Sequence, residues 1–443
     1  MLLAEKLYEY SRSIFKSGVK KETEELIKMR VIDSIFVSFG AAREKPVSIS
    51  RAALLPSSGR YNSLTYFFGE TASVDVATFI NGTMTRYLDY SDTYLSKEAL
   101  HPSDNIPPIL CCADAMGFSG KDAIASIAIS YQIACAFADS FSIRARGWDH
   151  VTYISISSAA GLASLMGLEK DYFENAISLS LNNNISMRQT RAGEISMWKG
   201  CTAADAARNG VFASMLAAKG MTGPSPIFEG EMGFFAQVSG RISPSFNEDR
   251  ISKTMIKNYP VEYHAMSAVD AALYLRQLIN GEEIVSISVE TFSVAYNIIV
   301  KGPEKLKPMT KETADHSMPY IIAYTLTYGA PNLKSYSREY LTDKRIASLI
   351  KKMVFRVSDK YNRMYPALLP IRIRIKTKTG SYEKEVHVPK GHYKDPYTWN
   401  DLRKKGISIT GSEEITDLLI RAGKGMEKRK VSNLMEVISH VKA

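Results

Sequence analysis

The stretch from residue 119 to residue 141, SGKDAIASIAISYQIACAFADSF, decides the fold class. It opens on Ser119 with Asp122 close behind, which is the signal of a capped helix N-terminus. The residues that follow are apolar on almost every side of a helix, and such a helix is typical of the centre of a bundle. The sequence therefore predicts an interior helix with other helices packed around it.

The segments on both sides of this helix also have helical patterns. Apolar residues recur at a period near 3.6 over residues 2–17 and 22–38. Later segments are rich in Ala and Leu, whose high density lets helices approach closely, and these are 155–168, 170–182 and 202–219. We predict a large all-helical domain over residues 1–276.

The pattern changes near residue 282. The stretch 282–300, EEIVSISVETFSVAYNIIV, alternates and is rich in β-branched residues, which predicts a strand. IRIRIKTKTG and SYEKEVHVP predict two more strands joined by a turn, whereas 316–329 and 341–351 predict helices. We predict a smaller α/β lid domain over residues 277–398 and a C-terminal helical segment, 399–443, that packs back on the helical domain. The fold class is mainly α with an α+β part.

The composition limits the class of function. The chain has 443 residues, with 56 Lys and Arg against 46 Asp and Glu, a net charge of +10. A basic excess fits nucleic acid, an acidic membrane surface, an anionic small substrate or only a basic surface. The basic stretches lie far apart without any nucleic-acid-binding signature, so no nucleic-acid partner is expected. No run reaches about 18 apolar residues and the N-terminus lacks a secretory pattern, so we expect no membrane partner and a cytoplasmic location.

The cysteines exclude two further classes of protein. Four cysteines are too few for a disulfide scaffold, and they are Cys111, Cys112, Cys135 and Cys201. Their spacing is not that of an iron–sulfur site, and their apolar surroundings suit buried thiols. We expect chemistry without an iron–sulfur cluster, without a metal and without an organic cofactor.

Four of the seven histidines stand beside acids, cations or tyrosines. Histidine is the usual group for proton transfer near neutral pH. The four groups are His101 with Asp89, Asp92, Thr93, Ser103 and Asp104; His150 after Trp148 and Asp149; His264 with Lys257, Tyr259 and Glu262; and His316 with Asp315 and Tyr320. Residues 188–210 add Arg188, Arg191 and Lys199 in an apolar stretch, where buried cations need partners.

Each of these groups also has a structural interpretation. A lone histidine is more often a structural hydrogen-bonding group, and residues 81–108 could form a surface loop that caps the next helix. The Asp and His of that loop could also bind a metal, although no close histidine pair supports this. Residues 147–150 could be an ordinary capping turn. Taken together, the groups suit a polyanionic organic acid that undergoes acid–base chemistry.

Long strings in these segments resemble the MmgE/PrpD family. In family order they are NGTMTRYLDYSDTYLSKEALHPSDNIPP, GWDHVTYISISSAAG, QTRAGEISMWKGCTAADAARNGVFASMLAAKGMTGPSPIFEGEMGFF, YPVEYHAMSAVDAA and ETADHSMPY, between residues 81 and 320. The resemblance implies a helical domain with a smaller α/β lid, a homodimer, and a hydro-lyase that needs no iron–sulfur cluster. It also implies a small tricarboxylate as substrate.

The resemblance further implies roles for individual residues. Motif by motif, a family member that decarboxylates cis-aconitate has catalytic groups that match Asp89, Thr93, His101, His150, Lys199 and Tyr320. We assign substrate binding to Arg191, Lys257, His264 and Ser103. In this interpretation His101 and His150 transfer protons, and Asp89 orients one of them.

The implied reaction is the dehydration of 2-methylcitrate to 2-methyl-cis-aconitate, a step of the methylcitrate cycle in propionate breakdown. Alternatives within the family are decarboxylation of cis-aconitate and hydration or dehydration of citrate and aconitate. An alternative from another class is a non-catalytic protein that binds tricarboxylates. The resemblance leaves the choice of tricarboxylic acid open.

Overall fold

The computed structural model describes residues 1–443 and is 59% helix and 9% strand. The chain divides into two compact units. The first comprises Met1–Thr190, Met197–Ile256 and Thr398–Ala443, and the second comprises Arg191–Ser196 and Lys257–Tyr397. The predicted fold class, mainly α with a smaller α+β part, is confirmed.

The first unit is mostly helical. Its helices before the second unit are α1 (Leu3–Ser17), α2 (Lys21–Ala41), α3 (Lys45–Leu54), α4 (Val74–Tyr87), α5 (Ile106–Met116), α6 (Gly120–Ser140), α7 (Val151–Leu165), α8 (Lys170–Asn183) and α9 (Thr202–Ala217). Two short antiparallel pairs interrupt them, formed by β1 (Asn62–Leu64) with β2 (Thr71–Ser73) and by β3 (Tyr94–Leu95) with β4 (Ala99–Leu100). The first unit therefore differs from the predicted all-helical domain by these two short strand pairs, which lie in the loops before and after α4.

Helix α6 lies in the centre of the first unit, as its sequence predicts. Ser119 and Asp122 form a capping box at its N-terminus, in which each side chain accepts the other residue's backbone N–H. By length and composition α6 is also the one helix able to cross a membrane, but 89% of that stretch is buried inside the protein. It packs against α1, α2, α5 and α7. These contacts are those of a core helix.

Small residues let α6 and α7 approach closely. A Cβ atom on Gly161 of α7 would lie 2.0 Å from the Ser130 Oγ and 3.0 Å from the Ser126 carbonyl oxygen of α6. No larger residue fits at that position without moving the two helices apart. The close approach fixes the position of α7, which carries His150 as its N-cap residue, against α6.

The second unit is built on a four-stranded sheet. Its strands are β5 (Ile284–Thr291), β6 (Met353–Val357), β7 (Ile371–Thr377) and β8 (Ser381–Val386), in the order β6-β5-β7-β8. The β5–β6 pair is parallel, and the β5–β7 and β7–β8 pairs are antiparallel. In the β5–β7 pair Val289 lies opposite Ile373. The alternation of IRIRIKT places the isoleucines of β7 on the buried face.

The helices of the second unit are α10 (Met266–Ile279), α11 (Ser293–Ile299), α12 (Pro303–Leu306), α13 (Lys311–Ala314), α14 (Met318–Tyr328), α15 (Arg338–Leu341), α16 (Lys344–Lys351) and α17 (Asp359–Met364). The prediction of strand throughout 282–300 is wrong in its second half, because residues 293–299 form α11. The amide of Ser293 at the start of α11 donates to the Asn362 side chain at 2.7 Å. That distant hydrogen bond satisfies a helix N-terminus that the local pattern does not reveal.

Two segments bear on the predicted domain limits. The predicted boundary at residue 276 places most of α10 in the helical domain, whereas α10 belongs to the second unit and packs on β7, β8 and α14. After the second unit the chain continues with α18 (Trp399–Thr410), α19 (Glu413–Lys424) and α20 (Val431–His440), which belong to the first unit. Helices α18 and α19 pack on α2.

Candidate active site

The loop between α4 and α5 carries the first group of candidate residues. Asp89 follows the end of α4 with φ of +52°, a left-handed conformation that Asp tolerates better than most residues. Farther along, Thr93 exchanges two backbone hydrogen bonds with Met255, each 2.8 Å long. The β3–β4 pair then returns the chain to His101. The loop is therefore held by the Thr93–Met255 backbone hydrogen bonds and by the β3–β4 pair.

Asp89 is the centre of a buried charge cluster. Its Oδ1 atom forms an ion pair with the guanidinium of Arg86, lies 3.6 Å from Nζ of Lys199 and lies 3.9 Å from Nε2 of His101. The side chains of Arg86, Asp89 and Lys199 are only 1–2% exposed. A carboxylate and two cations at this depth stabilise one another, since each alone would be strongly unfavourable.

Arg86 is the cluster member that the sequence analysis missed. Its Nε atom lies 4.0 Å from Oδ1 of Asp104, so the guanidinium bridges two carboxylates of the loop. Burial opposes its charge, but Asp89 and Asp104 more than compensate and raise the pKa of Arg86. The available signal was the spacing of Arg86 and Asp89 at a helix end, three residues apart.

The ring of His101 is held in one tautomer. Its Nδ1 lies 2.7 Å from the carbonyl oxygen of Asp92, which can only accept a hydrogen bond. Nδ1 therefore carries the proton, and in the neutral ring Nε2 is the basic nitrogen, on the side of Asp89. The hydroxyl of Thr93 lies 3.3 Å from the same Nδ1. Thr93 thus contacts the ring on the side opposite Nε2.

His150 lies beside His101, with the ring centroids 5.8 Å apart. Nδ1 of His150 lies 3.2 Å from Oδ1 of Asp149, a carboxylate that is wholly buried. Asp149 is fixed in turn, because Oδ1 accepts the Val151 amide at 3.2 Å and its own amide donates to the Ser186 carbonyl at 2.7 Å. The two imidazoles thus have different partners, a carbonyl for His101 and a carboxylate for His150.

Lys199 reaches the cluster because its turn packs directly on α4. It lies in the 3-10 turn Met197–Gly200, and a Cβ atom on Gly200 would lie 2.7 Å from the ring of Tyr87. The absence of a side chain at Gly200 lets the turn approach the end of α4, next to Asp89. The Lys-Gly pair in the string MWKG therefore has a packing reason.

Asp92 and Ser103 form a second contact within the same loop. Oδ1 of Asp92 accepts the Ser103 amide at 3.0 Å, and both residues are 1% exposed. Burial raises the pKa of Asp92, and hydrogen bonding to Ser103 opposes the shift. This contact connects the residues that follow Asp89 to the residues that follow His101. The proposed role of Ser103 in substrate binding stays a prediction.

The second unit contains its own buried polar cluster, which includes two predicted substrate-binding residues. Nζ of Lys257 donates to the Val261 carbonyl at 3.1 Å. Nδ1 of His264 lies 2.7 Å from Oε1 of Glu262, and its Nε2 lies 3.2 Å from the Tyr365 hydroxyl. Burial opposes the charge of Glu262, but His264 and nearby cations outweigh it and lower the pKa to about 2. Glu262 is therefore a carboxylate at all ordinary pH values.

Tyr320 and Arg191 also belong to the second unit. Tyr320 lies in a buried tyrosine-rich core and its hydroxyl donates to the Ser335 carbonyl at 2.7 Å. Arg191 ends the turn Arg188–Arg191 and is half-buried. The structure thus brings together Asp89, Thr93, His101, His150 and Lys199 in the first unit, whereas the roles predicted for the residues of the second unit stay predictions.

The cysteines are buried thiols. Burial raises the pKa of all four, to about 12 for Cys111, so each stays protonated near neutral pH. No group of three or more His, Cys, Asp and Glu side chains is arranged to hold a metal ion. The polar groups that the first unit does bring together include the imidazoles of His101 and His150, the cations of Arg86 and Lys199 and the carboxylate of Asp89. Such a set can bind an anion and move protons.

Comparison with known proteins identifies the family of the chain. A family model described as the MmgE/PrpD N-terminal domain matches residues 5–247, and the MmgE/PrpD C-terminal domain matches residues 259–412. The mitochondrial 2-methylcitrate dehydratase of Yarrowia lipolytica is 30% identical over 341 residues, which cover 70% of this chain and 65% of that protein. The 2-methylcitrate dehydratase of Salmonella typhimurium is 28% identical over 300 residues, covering 63% and 62%.

A fungal alkylcitrate dehydratase, phiI, is 27% identical over 354 residues, which cover 72% of this chain and 70% of that protein. The chain spans slightly less than two thirds of the length of the first two relatives. The two family models together account for most of the sequence and include every candidate residue except Lys257, which lies between the two matched ranges. The chain belongs to the MmgE/PrpD family.

Proposed function

We propose that the protein is a hydro-lyase that dehydrates 2-methylcitrate to 2-methyl-cis-aconitate, in the methylcitrate cycle of propionate breakdown. The observation that carries the proposal is the buried cluster of the first unit, where Asp89, Lys199 and two imidazoles lie together. The relatives named 2-methylcitrate dehydratase and alkylcitrate dehydratase support the choice of reaction.

Dehydration of 2-methylcitrate requires that a developing negative charge is stabilised and that two protons are transferred. The hydrogen that is lost lies on a carbon next to a carboxylate and is weakly acidic. A fixed cation near that carboxylate stabilises the charge that builds up on it, which is a preorganised electrostatic effect. Lys199 supplies this cation in the first unit, and Asp89 holds the ammonium in place. His101 and His150 supply the base and the acid.

The other predicted site residues enter the proposal through the family resemblance. Substrate carboxylates would be bound by Arg191, Lys257, His264 and Ser103, and Tyr320 and Thr93 would assist the chemistry. We also propose that the protein forms a homodimer in the cytoplasm. Light scattering of the purified protein should give about twice the 49.3 kDa chain mass, and a monomer at working concentration would contradict the dimer.

The test is an assay of several acids with purified protein in the presence of a chelator. 2-Methylcitrate, citrate and cis-aconitate are each incubated, and products are followed by NMR. The proposal expects 2-methyl-cis-aconitate from the first acid and slower conversion of the others. Release of CO₂ from cis-aconitate at a higher rate would indicate a decarboxylase instead. Binding of the acids by calorimetry without turnover would indicate a binding protein.

A further inference from the structure

We propose that the two histidines have separate roles, with His150 as the general acid that protonates the departing hydroxyl and His101 as the general base that removes the carbon-bound proton. Asp149 is then a positioning residue that keeps His150 protonated and oriented. The inference rests on the proposed dehydration and assigns the parts of the chemistry that the sequence leaves open.

The partner of His150 favours the charged form of its ring. Asp149 is 0% exposed and its Oδ1 lies 3.2 Å from Nδ1 of His150. A buried carboxylate at this distance stabilises an imidazolium far more than a neutral ring, because an opposite charge within a few ångströms favours the charged form. In the charged form that Asp149 favours, His150 carries on Nε2 the proton that the proposed step donates.

The partner of His101 favours the neutral form. Its Nδ1–H donates to the backbone carbonyl of Asp92 at 2.7 Å, which fixes the tautomer without supplying a full negative charge. On the other side, Nε2 lies 3.9 Å from Asp89. That carboxylate is already balanced by Arg86 and by Lys199, two cations that disfavour a further positive charge nearby. His101 therefore presents a lone pair on Nε2.

The positions of the rings suit an elimination across two neighbouring carbons. Their centroids are 5.8 Å apart and their planes are inclined by 57°, so both can reach one small molecule. In the step, Nε2 of His101 takes the proton from carbon and the C–H electron pair becomes the new double bond. The C–O bond breaks, its electron pair leaves with the hydroxyl, and the Nε2 proton of His150 converts that hydroxyl to water. His150 is then neutral and His101 charged, and proton exchange with water resets both.

A change of leaving group distinguishes the two roles. Chloride leaves without being protonated, so an analogue of 2-methylcitrate with chlorine in place of the hydroxyl needs the base but not the acid. The variants are His150→Gln, Asp149→Asn and His101→Gln, with folding checked by circular dichroism. With 2-methylcitrate we expect the two histidine variants to lose roughly 10²–10⁴-fold in turnover, as is typical when a proton-transfer group is removed.

With the chloro analogue, His150→Gln and Asp149→Asn should recover to within about tenfold of the wild type, whereas His101→Gln should stay as slow as before. If Asp149→Asn does not fold, His150→Gln decides alone. If the chloro analogue restored turnover only in His101→Gln, the two roles would be reversed. If it restored turnover in none of the variants, the assignment would be overturned, because the effect of a purely structural residue does not depend on the leaving group. A wild type that does not dehydrate 2-methylcitrate would instead refute the proposed function.

Discussion

The ammonium of Lys199 lies 3.6 Å from Oδ1 of Asp89, and the same oxygen forms an ion pair with Arg86. Three charges that are almost completely buried thus depend on one another. Removal of one partner from such a group leaves an uncompensated charge, which is much less favourable than the loss of an exposed pair. We therefore expect changes at Asp89 to affect both the stability of the first unit and the activity of the proposed site.

The first prediction concerns Arg86. Arg86→Met should lower the free energy of unfolding by about 3–5 kcal/mol, because Asp89 and Asp104 lose their shared cation in a buried place. The matched control is Arg208→Met, since Arg208 pairs with Asp205 at the same i,i+3 spacing but with 47% and 32% exposure. The control should lose less than about 1 kcal/mol. Urea unfolding measures the free energy of unfolding of both variants. An equal decrease in the two variants would show that the buried ion pairs of Arg86 contribute no more to stability than an exposed pair.

The second prediction concerns Lys199. Lys199→Met should lower kcat/KM for 2-methylcitrate by roughly 10- to 150-fold, the equivalent of one charge-assisted hydrogen bond of about 1.5–3 kcal/mol. Lys170→Met is the control, because Lys170 is 45% exposed and pairs with Glu5 on the surface of the same unit. The control should turn over normally. Steady-state kinetics decide, and an unchanged kcat/KM in Lys199→Met would remove Lys199 from the site.

The third prediction concerns the pH dependence of the second unit. Glu262 has a pKa lowered to about 2, so its carboxylate stabilises the folded state above the unfolded pKa of about 4.5, and this stabilisation falls as pH drops toward 2. The difference in unfolding free energy between wild type and Glu262→Gln should narrow by about 1 kcal/mol between pH 5 and pH 3.5.

Urea unfolding at the two pH values measures that difference. Glu339→Gln, at an exposed glutamate of the same unit, is the control and should stay within about 0.5 kcal/mol of the wild type. A gap between wild type and Glu262→Gln that widens toward low pH would contradict the sign of the argument.

The fourth prediction concerns Lys405 of α18, which contacts the loop between α4 and α5. Its Nζ lies 2.6 Å from Oδ1 of Asp33 and donates to the carbonyl of Tyr90, next to Asp89, at 2.9 Å. Burial raises the pKa of Asp33 to about 6, with Lys405 opposing the shift. Lys405→Met should therefore destabilise the protein by about 3–5 kcal/mol at pH 8, where Asp33 would be an unpaired buried anion.

At pH 5 Asp33 is neutral in the Lys405→Met variant, because its pKa rises further without the lysine, so the loss of stability should be smaller. Thermal or urea unfolding at the two pH values tests this, with Lys404→Met as the exposed neighbour on the same helix. A loss that is independent of pH would mean that the Asp33 pair does not explain the effect.

The sequence predicted the elements whose own residues determine them. Helix α6 has an apolar surface on all sides, and β7 alternates without interruption, so burial and period are visible locally. His101, His150 and Lys199 came from long family-like strings, and the structure places them together. The sequence does not reveal that His101 has a carbonyl partner and His150 a carboxylate partner, because these contacts depend on the geometry of the loops.

What the sequence missed depends on contacts between distant residues. Helix α11 has a strand-like composition, but Asn362 supplies its N-terminal hydrogen bond from another element. The spacing of Arg86 and Asp89 indicates that these two residues can pair, but nothing local indicates that Arg86 also lies near Asp104, which is distant in sequence. Lys405 reaches Tyr90 from the far end of the chain. Local propensity contains no information about such partners.

A crystal structure of the His101→Ala variant with bound 2-methylcitrate would show which side chains bind the acid. We expect a substrate carboxylate within about 2.7–3.2 Å of Nζ of Lys199 and the substrate hydroxyl within the same range of Nε2 of His150. A well-ordered acid bound away from both side chains would contradict this expectation.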